Sequence, residues 1–101
     1  MALSLLSDSD HSIQEFRLSR RKPMTIGRDS SNDIVLADRS VSGKHAVIRL
    51  IGTDWVLVDL ESRNGTFING QRSISEMGMS AGDIVQFGAV RLLVFIDESR
   101  L

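Results

Sequence analysis

Short apolar runs separated by polar turn residues repeat along the whole chain, and none sustains the periodicity of a helix. Apolar and β-branched residues in short runs between turn signals are typical of strands. The runs that predict strands are Ile13–Leu18, Met24–Ile26, Ile34–Leu36, His45–Ile51, Trp55–Leu60, Thr66–Ile68, Gln71–Ile74, Ile84–Phe87 and Val90–Ile96. Ser73–Gly82 comes closest to a helical pattern, but two glycines interrupt it.

Two Asn-Gly pairs, Asn64-Gly65 and Asn69-Gly70, stand where the chain must reverse. Asn and Gly both accept positive φ, so the pair is a strong signal for a tight turn. Many short strands at close spacing predict an all-β sandwich or barrel. The two ends of the chain carry no such pattern. We therefore predict a flexible N-terminus over residues 1–11, one domain over residues 12–96 and a C-terminal tail over residues 97–101.

Composition narrows the classes of function. The chain has 101 residues, 42% of them hydrophobic, which fits one folded domain. Its net charge of −1 gives no broad attraction to nucleic acid or to anionic membranes, so an anion site must be local. The absence of cysteine excludes disulfides and thiol chemistry and favours a reducing, cytoplasmic location. The longest apolar run, Leu92–Ile96, is too short to span a bilayer.

The residues with distinctive chemistry fall in predicted loops, where binding groups concentrate on a sheet scaffold. They are Gly27-Arg28, Ser42-Gly43-Lys44-His45, Ser62-Arg63-Asn64-Gly65-Thr66 and Asn69-Gly70. Taken singly, an arginine after a glycine is an ordinary surface residue, and a loop serine is an ordinary turn residue. Their order and spacing together carry the information.

In that order and spacing, these motifs resemble the forkhead-associated family, the FHA domain. The matching segments are Gly27-Arg28, Asn32-Asp33-Ile34, Ser42-Gly43-Lys44-His45-Ala46, Asp59, Ser62 to Phe67, Asn69-Gly70, Gly82-Asp83 and Phe87-Gly88. The resemblance covers residues 12–96. It implies an all-β, FHA-type (SMAD/FHA-like) β-sandwich of about eleven short strands, with loops at one end that bind phosphothreonine peptides.

The resemblance also implies a role for each matching residue. Arg28 offers a planar guanidinium that can grip two phosphate oxygens, and Ser42 and the Gly43 amide can donate to the phosphate. Arg63 stands where many family members carry threonine or serine. We expect it either to add a second cation near the phosphate or to face an acidic ligand residue. The side chain of Asn64, which both donates and accepts, is expected to bind the ligand main chain.

The remaining matching residues are expected to select the ligand or to support the loops. Candidate specificity contacts are Arg39, Ser40, Lys44 and Asn69. Residues expected to be structural are Gly27, His45, Gly65, Thr66 and Gly70. With His11 as the only other histidine, no histidine-rich metal set exists, so we expect no metal and no cofactor.

Other classes of function have weaker support. Ser42, His45 and Asp59 could be read as a hydrolytic triad, but no G-x-S-x-G pattern is present. The aspartates of residues 29–38 lack the spacing of a calcium loop. An FHA-like scaffold that binds without phosphate is the alternative. We expect a monomeric, non-catalytic adaptor without nucleic-acid or membrane partners. Its partner is expected to be a phosphothreonine-containing Ser/Thr kinase, a kinase substrate, or a segment of the same polypeptide.

Overall fold

The computed structural model describes residues 3–9 and 12–96 and contains eleven strands there. They are β1 (Leu3–Ser9), β2 (Ser12–Arg17), β3 (Met24–Gly27), β4 (Ile34–Val35), β5 (Ala46–Ile51), β6 (Asp54–Asp59), β7 (Thr66–Ile68), β8 (Gln71–Arg72), β9 (Glu76–Met79), β10 (Ile84–Phe87) and β11 (Val90–Ile96). The all-β prediction is confirmed, and each predicted run overlaps a strand. These residues hold no helix that is long and apolar enough to cross a membrane.

The strands form two sheets that pack face to face. One sheet has the order β2-β1-β11-β10-β7-β8, and the other has the order β4-β3-β5-β6-β9. All pairings are antiparallel except that of β3 with β4. Buried apolar residues of the two sheets form one core between them, as Leu57 and Phe87 do, and both are fully buried. The sandwich of about eleven strands expected from the sequence is therefore the observed architecture.

The N-terminal prediction is wrong for Leu3–Ser9. These residues form β1, which lies between β2 and β11 inside the six-stranded sheet. Leu3 and Leu5 point into the core, where Leu5 is fully buried against the other sheet. Apolar contact and two neighbouring strands hold a segment that lacks a clear alternating pattern. Residues 97–101 lie outside the described residues, as do residues 1–2 and 10–11.

Strand β9 was also not predicted, because two glycines interrupt Ser73–Gly82 and no strand pattern covers Glu76–Met79. Glu76–Met79 contains Gly78, which has low strand propensity. The strand is an edge of its sheet and pairs only with β6, with Gly78 opposite Val56. Pairing with a buried neighbour, which sequence pattern does not show, decides the conformation here.

The register of the two sheets brings several chain reversals to one end of the sandwich. In the five-stranded sheet, Ala46 pairs with both Ile26 and Asp59. In the six-stranded sheet, Phe87 pairs with both Thr66 and Val90. The loops that follow β3, precede β5, join β6 to β7 and join β10 to β11 must therefore meet at this end. We call it the loop end of the domain.

Candidate functional site

Arg28 follows the last residue of β3 and is held through its main chain. The Arg28 N–H donates to the carbonyl oxygen of Ser42 at 2.9 Å, and the next N–H, of Asp29, donates to the carbonyl oxygen of Gly43 at 3.2 Å. The Arg28 side chain is exposed and pairs with no carboxylate among residues 3–9 and 12–96. The backbone is thus fixed while the guanidinium stays available to an anion from outside.

Gly27 lets the Ser42 loop approach this strand. A Cβ at Gly27 would lie 2.2 Å from the carbonyl oxygen of Gly43 and 2.7 Å from the side-chain nitrogen of Asn32. That nitrogen is itself used: it donates to the carbonyl oxygens of Gly43 (2.7 Å) and Asp29 (2.9 Å). Any larger residue at position 27 would push the two loops apart, so the structural role expected for Gly27 has a steric basis.

The Ser42 hydroxyl is oriented by a neighbour on another loop. Its Oγ accepts a hydrogen bond from the N–H of Arg63 at 3.0 Å. An oxygen that accepts on one side can still donate its own hydrogen on another. The geometry therefore leaves the O–H of Ser42 free to donate to a ligand. The same bond brings Arg63 beside Ser42, so the predicted phosphate-binding residues of three separate loops lie together.

His45 supports the Ser42 loop from inside the fold, as expected. The imidazole is fully buried, and its Nδ1 accepts from the Ser42 N–H at 3.0 Å. Its Nε2 lies 2.8 Å from the carbonyl oxygen of Gly65, which can only accept, so Nε2 carries the proton. The ring also meets Phe87 edge-on, with ring centroids 5.7 Å apart. A neutral histidine thus joins the Ser42 loop to the β6–β7 loop, and both nitrogens are occupied.

Asp59, at the end of β6, organises the loop that carries Arg63. Its carboxylate accepts from the Ser62 N–H (3.1 Å), from the Ser62 hydroxyl, and from Oγ1 of the fully buried Thr66 (2.6 Å). Burial raises the pKa of Asp59, but the hydrogen bonds from Ser62 and Thr66 outweigh it, so the pKa lies below its usual value. Asp59 is therefore a structural carboxylate, and Thr66 has the loop-bonding role expected for it.

Asn64 is exposed, and its side chain already has one internal partner. Its Nδ2 donates to the carbonyl oxygen of Ser40 at 2.8 Å, a bond between the β6–β7 loop and the β4–β5 loop. This bond fixes which way the amide faces and leaves a second N–H and the carbonyl oxygen for other partners. The amide can therefore bind a peptide main chain next to the phosphate-binding groups.

The structure corrects one of the predicted specificity contacts. Asn69 lies at the far end of β7 from Thr66; its amide donates to Asp83 (3.0 Å) and accepts from the N–H of Ile84 (2.9 Å). Its backbone has φ 51°, so Asn69 is a turn residue and not part of the loop end. Ser40 does lie at the loop end, but its polar groups bind other parts of the protein.

The other predicted residues lie on the β4–β5 loop or in turns. Arg39 and Lys44 are exposed on the β4–β5 loop, on either side of Ser42. Gly43 is half-buried, and its N–H donates to no backbone or side-chain group among the residues that the structure describes. Gly65 and Gly70 have φ of 91° and 82°, a conformation that favours glycine.

Sequence reasoning left three supporting residues without a role. Asp38 accepts from both the N–H and the hydroxyl of Ser40, Asp59 holds the Ser62 turn, and Gly88 packs against Ser40. The Asp-x-Ser spacing of residues 38–40 is a recognisable turn signal that could have pointed to Asp38. Nothing local could have paired Gly88 with a residue so distant along the chain.

The electrostatics of the loop end favour an anion. Four exposed cations, Arg28, Arg39, Lys44 and Arg63, lie on the loops of the loop end and form no ion pair among the described residues. Two exposed carboxylates, Asp29 and Asp38, lie on the same loops. The chain as a whole carries a net charge of −1, so the positive character is local. The Arg28 guanidinium, the Ser42 hydroxyl and the Gly43 N–H lie on converging loops. Together these donors suit a small dianion with several acceptor oxygens.

Comparisons with known proteins agree on one family. A model of the FHA domain matches residues 24–88. An oxoglutarate dehydrogenase inhibitor of Corynebacterium diphtheriae is 42% identical over 80 residues, which cover 79% of this chain and 54% of that protein. The chain spans about half the length of the curated relatives it matches.

Solved structures share the whole sandwich. The FHA domain of the CT664 protein from Chlamydia trachomatis superposes with a TM-score of 0.88 at 28% identity, covering 96% of this chain and 99% of that one. An FHA domain from work on phosphothreonine-dependent FHA interactions superposes with a TM-score of 0.84 at 28% identity, covering 96% and 98%.

Proposed function

Because this chain belongs to the FHA domain family, we propose that it binds phosphothreonine peptides and serves as an adaptor in Ser/Thr kinase signalling. The observation that carries the proposal is the meeting of Arg28, Ser42 and Asn64 at one end of the sandwich. Two of these groups suit a phosphate and the third suits a peptide main chain. A ligand that contains both, in one segment, fits the arrangement better than free phosphate or an unmodified peptide.

The phosphate would be held by charge and by oriented donors. Phosphothreonine carries close to two negative charges and three acceptor oxygens. In the proposed complex Arg28 grips two of these oxygens, while the Ser42 hydroxyl and the Gly43 N–H donate to the remaining acceptor positions. Arg63 adds a second cation beside Ser42, because its own N–H already holds that serine oxygen. Lys44 and Arg39 contribute general attraction.

The peptide would be read by Asn64, which fixes the register of the ligand main chain. Recognition of a phosphate group together with the adjacent peptide needs binding alone and no catalysis. Asp59 is held by Ser62 and Thr66, and both His45 nitrogens have partners, so neither is poised as a base for Ser42. A relative named as an inhibitor is also consistent with a binding role.

The partner is proposed by class. It is a phosphothreonine-containing Ser/Thr kinase, a kinase substrate, or another segment of the same polypeptide. We propose that the domain acts as a monomer in the cytoplasm, with no nucleic-acid or membrane partner and with no cofactor. The net charge of −1 supports the first of these exclusions, since nucleic-acid modules carry broad positive surfaces.

The proposal is tested with a degenerate peptide library centred on phosphothreonine and with the same library unphosphorylated. We expect the phosphorylated pool to yield peptides with dissociation constants in the micromolar range, about 8 kcal/mol of binding free energy. The unphosphorylated pool should not bind measurably. Equal binding of the two pools would instead support an FHA-like scaffold that recognises its partner without phosphate.

A further inference from the structure

Ser40 is a junction between three parts of the loop end. Its N–H and hydroxyl both donate to the Asp38 carboxylate, at 2.9 and 2.7 Å, and its Oγ accepts from the N–H of Ala89 at 2.8 Å. Its carbonyl oxygen accepts from Nδ2 of Asn64. The pKa of Asp38 lies below its usual value because Ser40 donates to the charged form. The polar groups of Ser40 are thus all used inside the domain.

The β10–β11 turn presses on the same residue. A Cβ at Gly88 would lie 2.3 Å from the carbonyl oxygen of Ser40, and Gly88 has φ 59°. The Gly88 N–H also donates to the carbonyl oxygen of Gly65 at 3.0 Å, next to Asn64 in the chain. The carbonyl of Ser40 is therefore fixed from two sides, by Asp38 within its own loop and by the β10–β11 turn.

We propose that Ser40 is a positioning residue that acts through Asn64 and sets the binding of the peptide main chain, without contributing to phosphate binding. The inference rests on the proposed function and assigns to Ser40 a part in binding the peptide main chain. Asn64 is exposed, so without a fixed acceptor its amide could rotate between several orientations. The Ser40 carbonyl selects one of them and so places the amide oxygen and the second N–H toward the ligand.

The phosphate groups do not depend on this junction. Ser42 is held by Arg63, by His45 and by Arg28, and none of these bonds involves Ser40. Between Ser40 and Ser42, Val41 is buried in the core with 1% of its surface exposed, which anchors the loop independently of the Ser40 side chain. Loss of the Ser40 hydroxyl should therefore disturb Asn64 and leave the phosphate-binding groups in place.

Two ligands separate the two effects. One is a phosphothreonine peptide selected from the degenerate library, measured by calorimetry. The other is free O-phospho-L-threonine, measured by NMR titration. Ser40→Ala should weaken peptide binding about fivefold, the worth of about one hydrogen bond, and should change the affinity for free phosphothreonine less than about twofold. Ser40→Thr keeps the hydroxyl and should restore peptide binding. Arg28→Ala should weaken both ligands.

A double-mutant cycle tests whether Ser40 works through Asn64. If it does, Ser40→Ala adds nothing to the peptide affinity already lost in Asn64→Ala. Equal loss of both ligands, additive losses in the cycle, or unchanged peptide binding would each overturn the inference. Where Ser40→Ala does not fold, Asp38→Ala, with Asp38→Asn as the control that keeps an acceptor oxygen, gives the same comparison.

The two proposals fail in different ways. If the wild-type domain does not distinguish the phosphorylated from the unphosphorylated peptide, the proposed function fails and this inference fails with it. If the wild type does distinguish them, but Ser40→Ala weakens both ligands alike, only the role of Ser40 is refuted.

Discussion

Removal of the Arg28 side chain is expected to weaken ligand binding strongly while leaving the stability of the fold unchanged. The guanidinium is exposed and has no carboxylate partner in the described part of the chain, so Arg28→Ala breaks no ion pair there. The N–H of residue 28 still donates to Ser42 in the variant, because that bond is made by the main chain. The substitution therefore separates binding from folding.

The size of the effect follows from the two oxygens that a guanidinium can grip. A hydrogen bond to a charged group contributes about 1.5–3 kcal/mol, and exposure to water places these two toward the lower limit. We expect a loss of about 2–3 kcal/mol, which corresponds to roughly a 30- to 150-fold higher dissociation constant. The free energy of unfolding should change by less than about 0.5 kcal/mol, as is usual for a surface substitution.

The assay is calorimetric titration of a selected phosphothreonine peptide, paired with chemical denaturation of each variant. Arg28→Lys keeps the charge but loses the planar fork, so it should fall between wild type and Arg28→Ala. Arg17→Ala, at an exposed arginine of β2, is the matched control and should bind normally. A dissociation constant for Arg28→Ala within twofold of wild type would refute the site. A fall in the free energy of unfolding as large as the loss of binding free energy would refute the claim that Arg28 acts only on the ligand.

Three further predictions follow from the geometry. Ser42→Ala removes one donor to the phosphate and should weaken the peptide by about 1 kcal/mol, or about fivefold, in the same titration. Gly27→Ala places a Cβ 2.2 Å from the Gly43 oxygen and should destabilise the fold by about 1–3 kcal/mol on chemical denaturation. Gly78→Ala, where the added Cβ meets nothing within 4 Å, is its control and should not destabilise. Asp59 has a lowered pKa, so its contribution is present above the unfolded value near 3.8 and is lost as the pH falls through the folded pKa. The stability difference between wild type and Asp59→Asn should therefore stay constant from pH 7 down to the unfolded value near 3.8 and shrink below it. A difference that is unchanged below that value would contradict this.

Many strands of the two sheets were predictable because the local sequence pattern indicates them. Runs such as Trp55–Leu60 and Val90–Ile96 alternate or carry β-branched residues between turn signals, and β6 and β11 lie there. β1 and β9 were not predictable, since pairing with β11 and β6 decides their conformation more than their own residues do. Gly78 in particular makes β9 hard to predict, because glycine has low strand propensity.

The site divides in the same way. Arg28, Ser42 and Asn64 were found from the order of motifs, and the structure brings their loops together. The support beneath them was hidden, because the bond from Ala89 to Ser40 joins residues 49 positions apart. Asn69 shows the opposite failure: its Asn-Gly pair marks a turn, and only the pairing of β7 with β10 shows that this turn lies away from the other loops.

The pairing of Leu3 with Ile96 has a consequence for where β1 begins and β11 ends relative to the site. The first residue of β1 and the last of β11 are neighbours, while β11 starts at the loop end and runs about 20 Å away from it at strand rise. The two outer ends of β1 and β11 thus lie side by side, about one strand length from the loops that carry Arg28, Ser42 and Asn64.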